Sequence, residues 1–158
     1  MDKFISAFDE RFRAIYRTSL DLLENVPAEL LFRRPRELDR ALVMFSIGEY
    51  LIRSGAVVEQ VIGGITTRMW DDPFEWTLPE QLNTPELVAD YLAEVEAARS
   101  KGFLFLATDA DLGRSIPAPE KLHTIFELLT DAASRASHFQ GRAFGIFQVL
   151  VDVKLPSV

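Results

Sequence analysis

The sequence predicts an all-α fold, a bundle of four long helices, and three observations carry that prediction. Apolar residues recur at three- and four-residue steps over four long stretches. Helix-start signals stand ahead of most of them. Two proline-bearing segments without a helical period separate the second, third and fourth stretches.

The first helix is predicted over residues 2–24, where Phe4, Ile5, Phe8, Phe12, Ile15, Tyr16, Leu22 and Leu23 face one way with Asp, Glu and Arg between them. Pro27 follows, and a short turn from Ala28 to Phe32 fits before Arg34-Pro35, since a proline disfavours helix at the residue before it. Ser46-Ile47-Gly48-Glu49 reads as a capping box, with Phe45 and Tyr50 placed for a hydrophobic staple. Helix two then runs from about Ile47 to Arg68 and buries Ile47, Leu51, Ser54, Val58, Val61, Ile62 and Ile65; a start near Leu38 is the alternative. Met69 to Asn83, with Pro73, Pro79, Trp70 and Trp76, reads as a long connection that either edges a pocket or covers a bundle end.

Thr84-Pro85-Glu86 opens helix three, with Thr84 as N-cap and Pro85 at the first position, where a missing N–H costs nothing. Its buried face takes in Leu87, Val88, Tyr91, Leu92, Val95, Phe103, Leu104 and Leu106. A second connector spans Thr108 to Ala118, and Pro119 is expected to open helix four, which continues to about Val151. Its stripe is Leu122, Ile125, Phe126, Leu129, Ala132, Ala133, Ala136, Phe139, Ala143, Ile146 and Leu150. Strand signals are weak; Phe103 to Leu106 is the one apolar run short enough for a strand, and its flanks favour helix. Roughly fifteen residues between helices two and three reach about 50 Å at ~3.3 Å each, against roughly 33 Å for helix two at ~1.5 Å per residue. That length permits a crossover, with helices two and three parallel and the remaining neighbours antiparallel.

Composition narrows the function. At 158 residues with 48% hydrophobic side chains, the chain suits a single domain over 1–158 with one core. The absence of cysteine excludes a disulfide framework, a zinc ribbon and a thiolate nucleophile. Seventeen basic against 24 acidic residues, a net charge of −7, argues against a nucleic-acid partner, whose phosphates demand clustered Lys and Arg. Acidic residues interrupt the start, and no stretch approaches the ~18 apolar residues of a membrane span, so no membrane association and a cytoplasmic location are expected. Phosphate-loop, nucleotide-fingerprint, nucleophile-elbow and HExxH patterns are missing. Glu120-Lys121-Leu122-His123 is formally ExxH, but a di-metal carboxylate bundle needs a second copy, which the chain lacks.

Ser46-Ile47-Gly48-Glu49-Tyr50-Leu51-Ile52-Arg53 at the head of helix two, and Arg135-Ala136-Ser137-His138-Phe139-Gln140-Gly141-Arg142 in helix four, resemble the DinB/YfiT-like superfamily. The resemblance spans nearly the whole chain. It implies a four-helix bundle and, in many members, a divalent metal held by one histidine of helix two and two of helix four; members include thiol-dependent transferases and isomerases. Alignment on these motifs puts Arg53, Arg135 and Phe139 at the three ligand positions. A guanidinium has no lone pair to offer and carries a fixed positive charge, so the resemblance implies a bundle that has lost its metal site.

The reading that follows is a protein with no metal, cofactor or catalytic residue, which binds a small molecule or a partner; a stress role follows from the resemblance alone. The candidate anionic pocket comprises Arg53 and Arg135 as clamps, His138 as a nearby donor, and Glu49. Against it stands the plainer alternative, in which the arginines are solvated or pair with Glu49, Glu59 or Asp131 and His138 lies at the surface. The competing function is a divalent-metal-dependent thiol S-transferase or isomerase. Gly141 and Gly145, with neighbouring alanines, allow close helix approach within the bundle or across a homodimer, and the resemblance, in whose family dimers are common, makes a homodimer the expected partner.

Overall fold

The computed structural model describes residues 2–35, 44–76 and 81–151. They are mostly helical: α1 (Lys3–Asn25), α2 (Ala28–Leu31), α3 (Ile47–Thr67), α4 (Pro73–Trp76), α5 (Pro85–Phe103), a 3-10 turn (Asp109–Gly113), strands β1 (Ser115–Pro117) and β2 (Leu122–Thr124), and α6 (Ile125–Leu150). The alternative helix start near Leu38 and the last seven residues lie outside the described ones. No helix among the described residues is long and apolar enough to cross a membrane.

The four long helices α1, α3, α5 and α6 enclose one continuous core, with α3 and α1 at opposite corners and α5 and α6 at the other two. Gly55 lies against Tyr91 and Leu92, and Gly102 against Ile62 and Thr66, so α3 and α5 run in the same direction. Ser54 donates to the Ala136 carbonyl while Tyr50 stacks on Phe139, further along α6, so α3 and α6 are opposed. Antiparallel packing does not extend to every remaining pair. In a ring of four helices opposed interfaces occur in even numbers, so a parallel α3–α5 pair requires a second one. It is α1–α6, where Phe8 meets Phe126 and Ile15 meets Gln140.

Helix α3 starts where its capping box dictates: the Ser46 hydroxyl accepts from the Glu49 N–H at 3.2 Å, and the Glu49 carboxylate accepts from the Ser46 N–H at 2.7 Å. The staple forms as an edge-to-face contact of Phe45 and Tyr50, with ring centres 5.5 Å apart. At the other end Arg68 takes a left-handed conformation, φ 64°, and its own guanidinium donates to the Ile65 carbonyl at 2.7 Å, satisfying one end-group of the helix. Thr84 caps α5 as the sequence indicates.

Helix four departs from expectation. It begins at Ile125, not Pro119, because Thr124 and Glu127 form a complete capping box that the sequence reading passed over. Residues upstream form an antiparallel hairpin pairing Ile116 with His123, and buried Ile116 anchors it. Leu122, expected in the buried stripe, therefore sits in a strand and is exposed, as is Phe126; Phe144 and Phe147 are buried instead. Helix α5 ends at Phe103, which leaves Leu104 exposed and returns only Leu106 to the core. Leu87 and Phe4 are exposed too, and the connector after α3 holds the short α4.

One buried polar cluster escaped the sequence reading. Arg99, with its side chain 1% exposed, pairs with Asp9 across the α1–α5 interface and with Glu96 at 2.7 Å on its own helix. Removing one partner of such a pair strands a charge in the interior, at a cost of roughly 3–5 kcal/mol. Asp9→Ala is expected to lose about that much in urea unfolding; a loss below 1 kcal/mol would show that the pair does not hold α1 to α5.

Glu49 supplies a second prediction. Burial opposes its ionisation, but the Arg34 guanidinium and the Ser46 N–H and hydroxyl outweigh it and hold its carboxyl below the ordinary 4.5. A depressed pKa contributes stability at pH values above 4.5 that is lost as pH falls through the folded value. Glu49→Gln is expected to flatten the acid limb of a stability-versus-pH curve below pH 4.5 and leave its shape unchanged above pH 6. A Cβ at Gly141 or Gly145 meets nothing within 4 Å. Alanine at either position is expected to gain up to about 1 kcal/mol in the isolated chain. A concentration-dependent loss would place this face in a homodimer.

Candidate functional site

The head of α3 sets one wall of the site. With Phe45 fixed by the staple, its ring lies 3.9 Å from the guanidinium carbon of Arg53, two turns into α3, and the Phe74 ring of α4 lies 4.0 Å from the same atom. The guanidinium carbon thus lies over two aromatic rings, an arrangement that delocalised, weakly hydrated arginine tolerates and lysine does not reproduce. Phe74 is held by its N–H donating to Asp72 at 2.9 Å. Beyond these rings Arg53 has no polar partner among the described residues: its Nε is buried without a hydrogen bond, and no described carboxylate pairs with it.

Between α3 and α6, Arg53 opens onto a cleft of about 80 Å³ lined by Ala56, Val57, Gln60, Asp72, Phe74, Arg135 and Phe139. Arg135 reaches it from α6 and lies 3.6 Å from Asp131 in an exposed pair, a contact worth about 0–1 kcal/mol that a ligand can displace. Val57, Gln60 and Arg135 also line an adjoining trough of about 310 Å³, completed by Val61, Trp70, Ala118, Pro119, Glu120, His123, Leu128, Asp131 and Ala132. Its walls are tied together. The Gln60 amide donates to the Trp70 carbonyl at 3.2 Å, the Trp70 indole donates to the Pro117 carbonyl at 3.0 Å, and Gly64 makes room for the indole ring. Trp70 therefore both edges a cavity and links the long connection to the hairpin.

The structure brings together Arg53 and Arg135, which the sequence placed 82 positions apart, and adds Phe139 beside them. Glu49 is not among the residues lining either hollow; its oxygens serve the capping box and Arg34. His138 is exposed and leans on the edge of Phe139, outside both linings. Sequence reasoning missed Phe74 and Gln60, and met His123 only in the ExxH pattern. Phe45 was legible only as a staple, and its second role needs the position of Arg53 one helical face away. Near the same face Tyr91, buried and donating to Glu59 at 2.8 Å, has its pKa pushed far above 10 by burial and by that carboxylate, so it stays a hydrogen-bond donor.

No group of three or more His, Asp or Glu side chains capable of holding a metal occurs among the described residues. At Arg53, Arg135 and Phe139 a divalent ion would meet two guanidinium groups and a phenyl ring, none with a lone pair to donate, so this donor set does not fit a metal. No protein-family model matches the chain, and no curated protein matches it in sequence.

Phe74 covers one face of Arg53 and closes the cleft. Phe74→Ala is expected to cost about 1–2 kcal/mol in thermal unfolding, from the lost stacking and apolar contact. Unchanged stability would mean that α4 does not hold Arg53 in solution.

Proposed function

We propose that the chain is a DinB/YfiT-like four-helix bundle, with a long crossover between α3 and α5, whose metal site has become a cationic cleft that binds a small anionic molecule. The observation that carries the reading is the pair Arg53 and Arg135 on one cleft, with Arg53 stacked, partly desolvated and without a carboxylate of its own. A guanidinium nitrogen left unpaired in a buried position costs free energy, and proteins tolerate such groups where function uses them. The order of the four helices, with α3 parallel to α5, supports the crossover. That the cleft collects the three positions aligned with the family's ligands supports the resemblance.

The described lining of the cleft joins two guanidinium groups and one carboxylate to aromatic and apolar side chains, and this supports reading it as a binding site. The thiol transferase reading requires ligands that this cleft does not contain.

Two measurements test the proposal together. Elemental analysis of protein purified without a histidine tag is expected to show no stoichiometric metal; one equivalent of zinc or nickel would overturn the reading. Thermal unfolding in a panel of small carboxylates and phosphates is expected to show stabilisation by at least one, about 2.7 kcal/mol at a hundredfold excess over Kd. Arg53→Leu, which keeps an apolar stem between the two rings, is expected to fold with stability within about 1 kcal/mol of the parent and to lose that response. An unchanged response in Arg53→Leu would place binding elsewhere.

A further inference from the structure

The cleft also discriminates among anions. Resting on the reading above, we infer that its ligand is a small monocarboxylate whose body carries no second acid, with the carboxylate on Arg53 and Arg135 and the body in the adjoining trough. The rings of Phe45 and Phe74 lie 3.9 and 4.0 Å from the Arg53 guanidinium carbon and its Nε is buried without a partner, which leaves the two Nη groups as the donors a ligand can meet. No protein group among the described residues accepts from them. A planar fork whose Nη groups have no acceptor among the described residues matches a coplanar carboxylate making two parallel hydrogen bonds.

The surrounding charges decide the rest. Asp72 lines the same cleft as the two arginines, and Glu120 and Asp131 line the trough, where Arg135 is the only lysine or arginine. One negative charge at the cleft finds two cations. A second, whether on a dicarboxylate or a phosphate dianion, has to lie beside these carboxylates in a partly enclosed space where like charges repel more than in water. The trough is also the larger hollow, about 310 Å³ against 80 Å³, and its wall mixes Trp70, Leu128 and Val61 with those acids. An apolar or amine-bearing body fits it; an acidic one does not.

The test compares pentanoate, 5-aminopentanoate, glutarate and inorganic phosphate on the full chain at low salt. Binding is followed by isothermal titration and by amide NMR of the Trp70 indole and the Gln60 side chain. Pentanoate and 5-aminopentanoate are expected to bind saturably, glutarate and phosphate at least tenfold more weakly. Arg53→Lys, which keeps the charge and loses the fork, is expected to weaken pentanoate about tenfold. Asp72→Asn, away from the packing core, is expected to bring glutarate closer to pentanoate, and this variant carries the test if the Arg53 variant does not fold. Glutarate or phosphate binding at these residues as tightly as pentanoate would overturn the monocarboxylate inference and leave the anion site standing. No saturable shift with any of the four would overturn both.

Discussion

Helix α3 is buried on nearly every side, and the rest of the molecule is arranged to cover it. From Ile47 to Ile65 it presents apolar or small residues almost all round, with α5 on one flank and α6 on another. A helix of this kind has no solvent face on which to place an unpaired charge cheaply, so each polar group on it needs a local solution. Ser54 bonds to the Ala136 carbonyl, Glu49 closes the cap and meets Arg34, and Glu59 accepts from Tyr91. Arg53 is the exception: two aromatic rings lie within 4.0 Å of its guanidinium carbon, and no described carboxylate pairs with it.

The contrast with Arg99 shows why that exception matters. Both arginines lie within the helical assembly, yet Arg99 is closed off and bonded to two carboxylates on α1 and α5, a fully paired structural cluster. Such a cluster fixes register and resists change, since loss of one partner leaves the other unpaired in low dielectric. Arg53 has aromatic cover in place of carboxylates. Cation–π contact attracts the cation at both ring faces without occupying its hydrogen-bonding edge, and so holds the group in position while leaving its edge available. Two arginines in one chain thus differ in kind: Arg99 is paired with carboxylates, whereas Arg53 has aromatic partners and no described carboxylate.

Much of the fold was legible because local signals agreed with periodicity. The box at Ser46 and Glu49 fixed the start of α3, the Thr84-Pro85 pair fixed α5, and the stripe from Ile47 to Ile65 named core residues that are all buried. The hairpin was hidden because each strand has three residues, too few for alternation to register, and because Pro119 imitates a helix start while Thr124-x-x-Glu127 sits inside the apolar period it opens. The sequence reading assigned no role to Arg99 or Gln140, because their burial depends on distant partners, Asp9 in one case and the Ile15 carbonyl and Ser19 in the other. The cleft was half legible: Arg53 and Arg135 followed from motif alignment, whereas Phe74 and Asp72 enter from a connection with no period to place them.

Under the proposed reading, guanidinium groups stand where the family holds a metal, which alters what an anion meets without altering the sign of the field. A divalent ion and a pair of arginines both draw negative charge into a gap between two helices, but only the ion polarises a bound atom through an open coordination position. Arginine instead reads shape, because its donors lie in one plane, and the Phe45 and Phe74 rings hold the Arg53 guanidinium carbon near the head of α3. Under the proposed reading, the change costs the site its Lewis acidity and leaves orientation-dependent recognition. The carboxylates around the trough then become the selective element: with the attraction provided by fixed cations, the choice among anions falls to the acids that stand nearby.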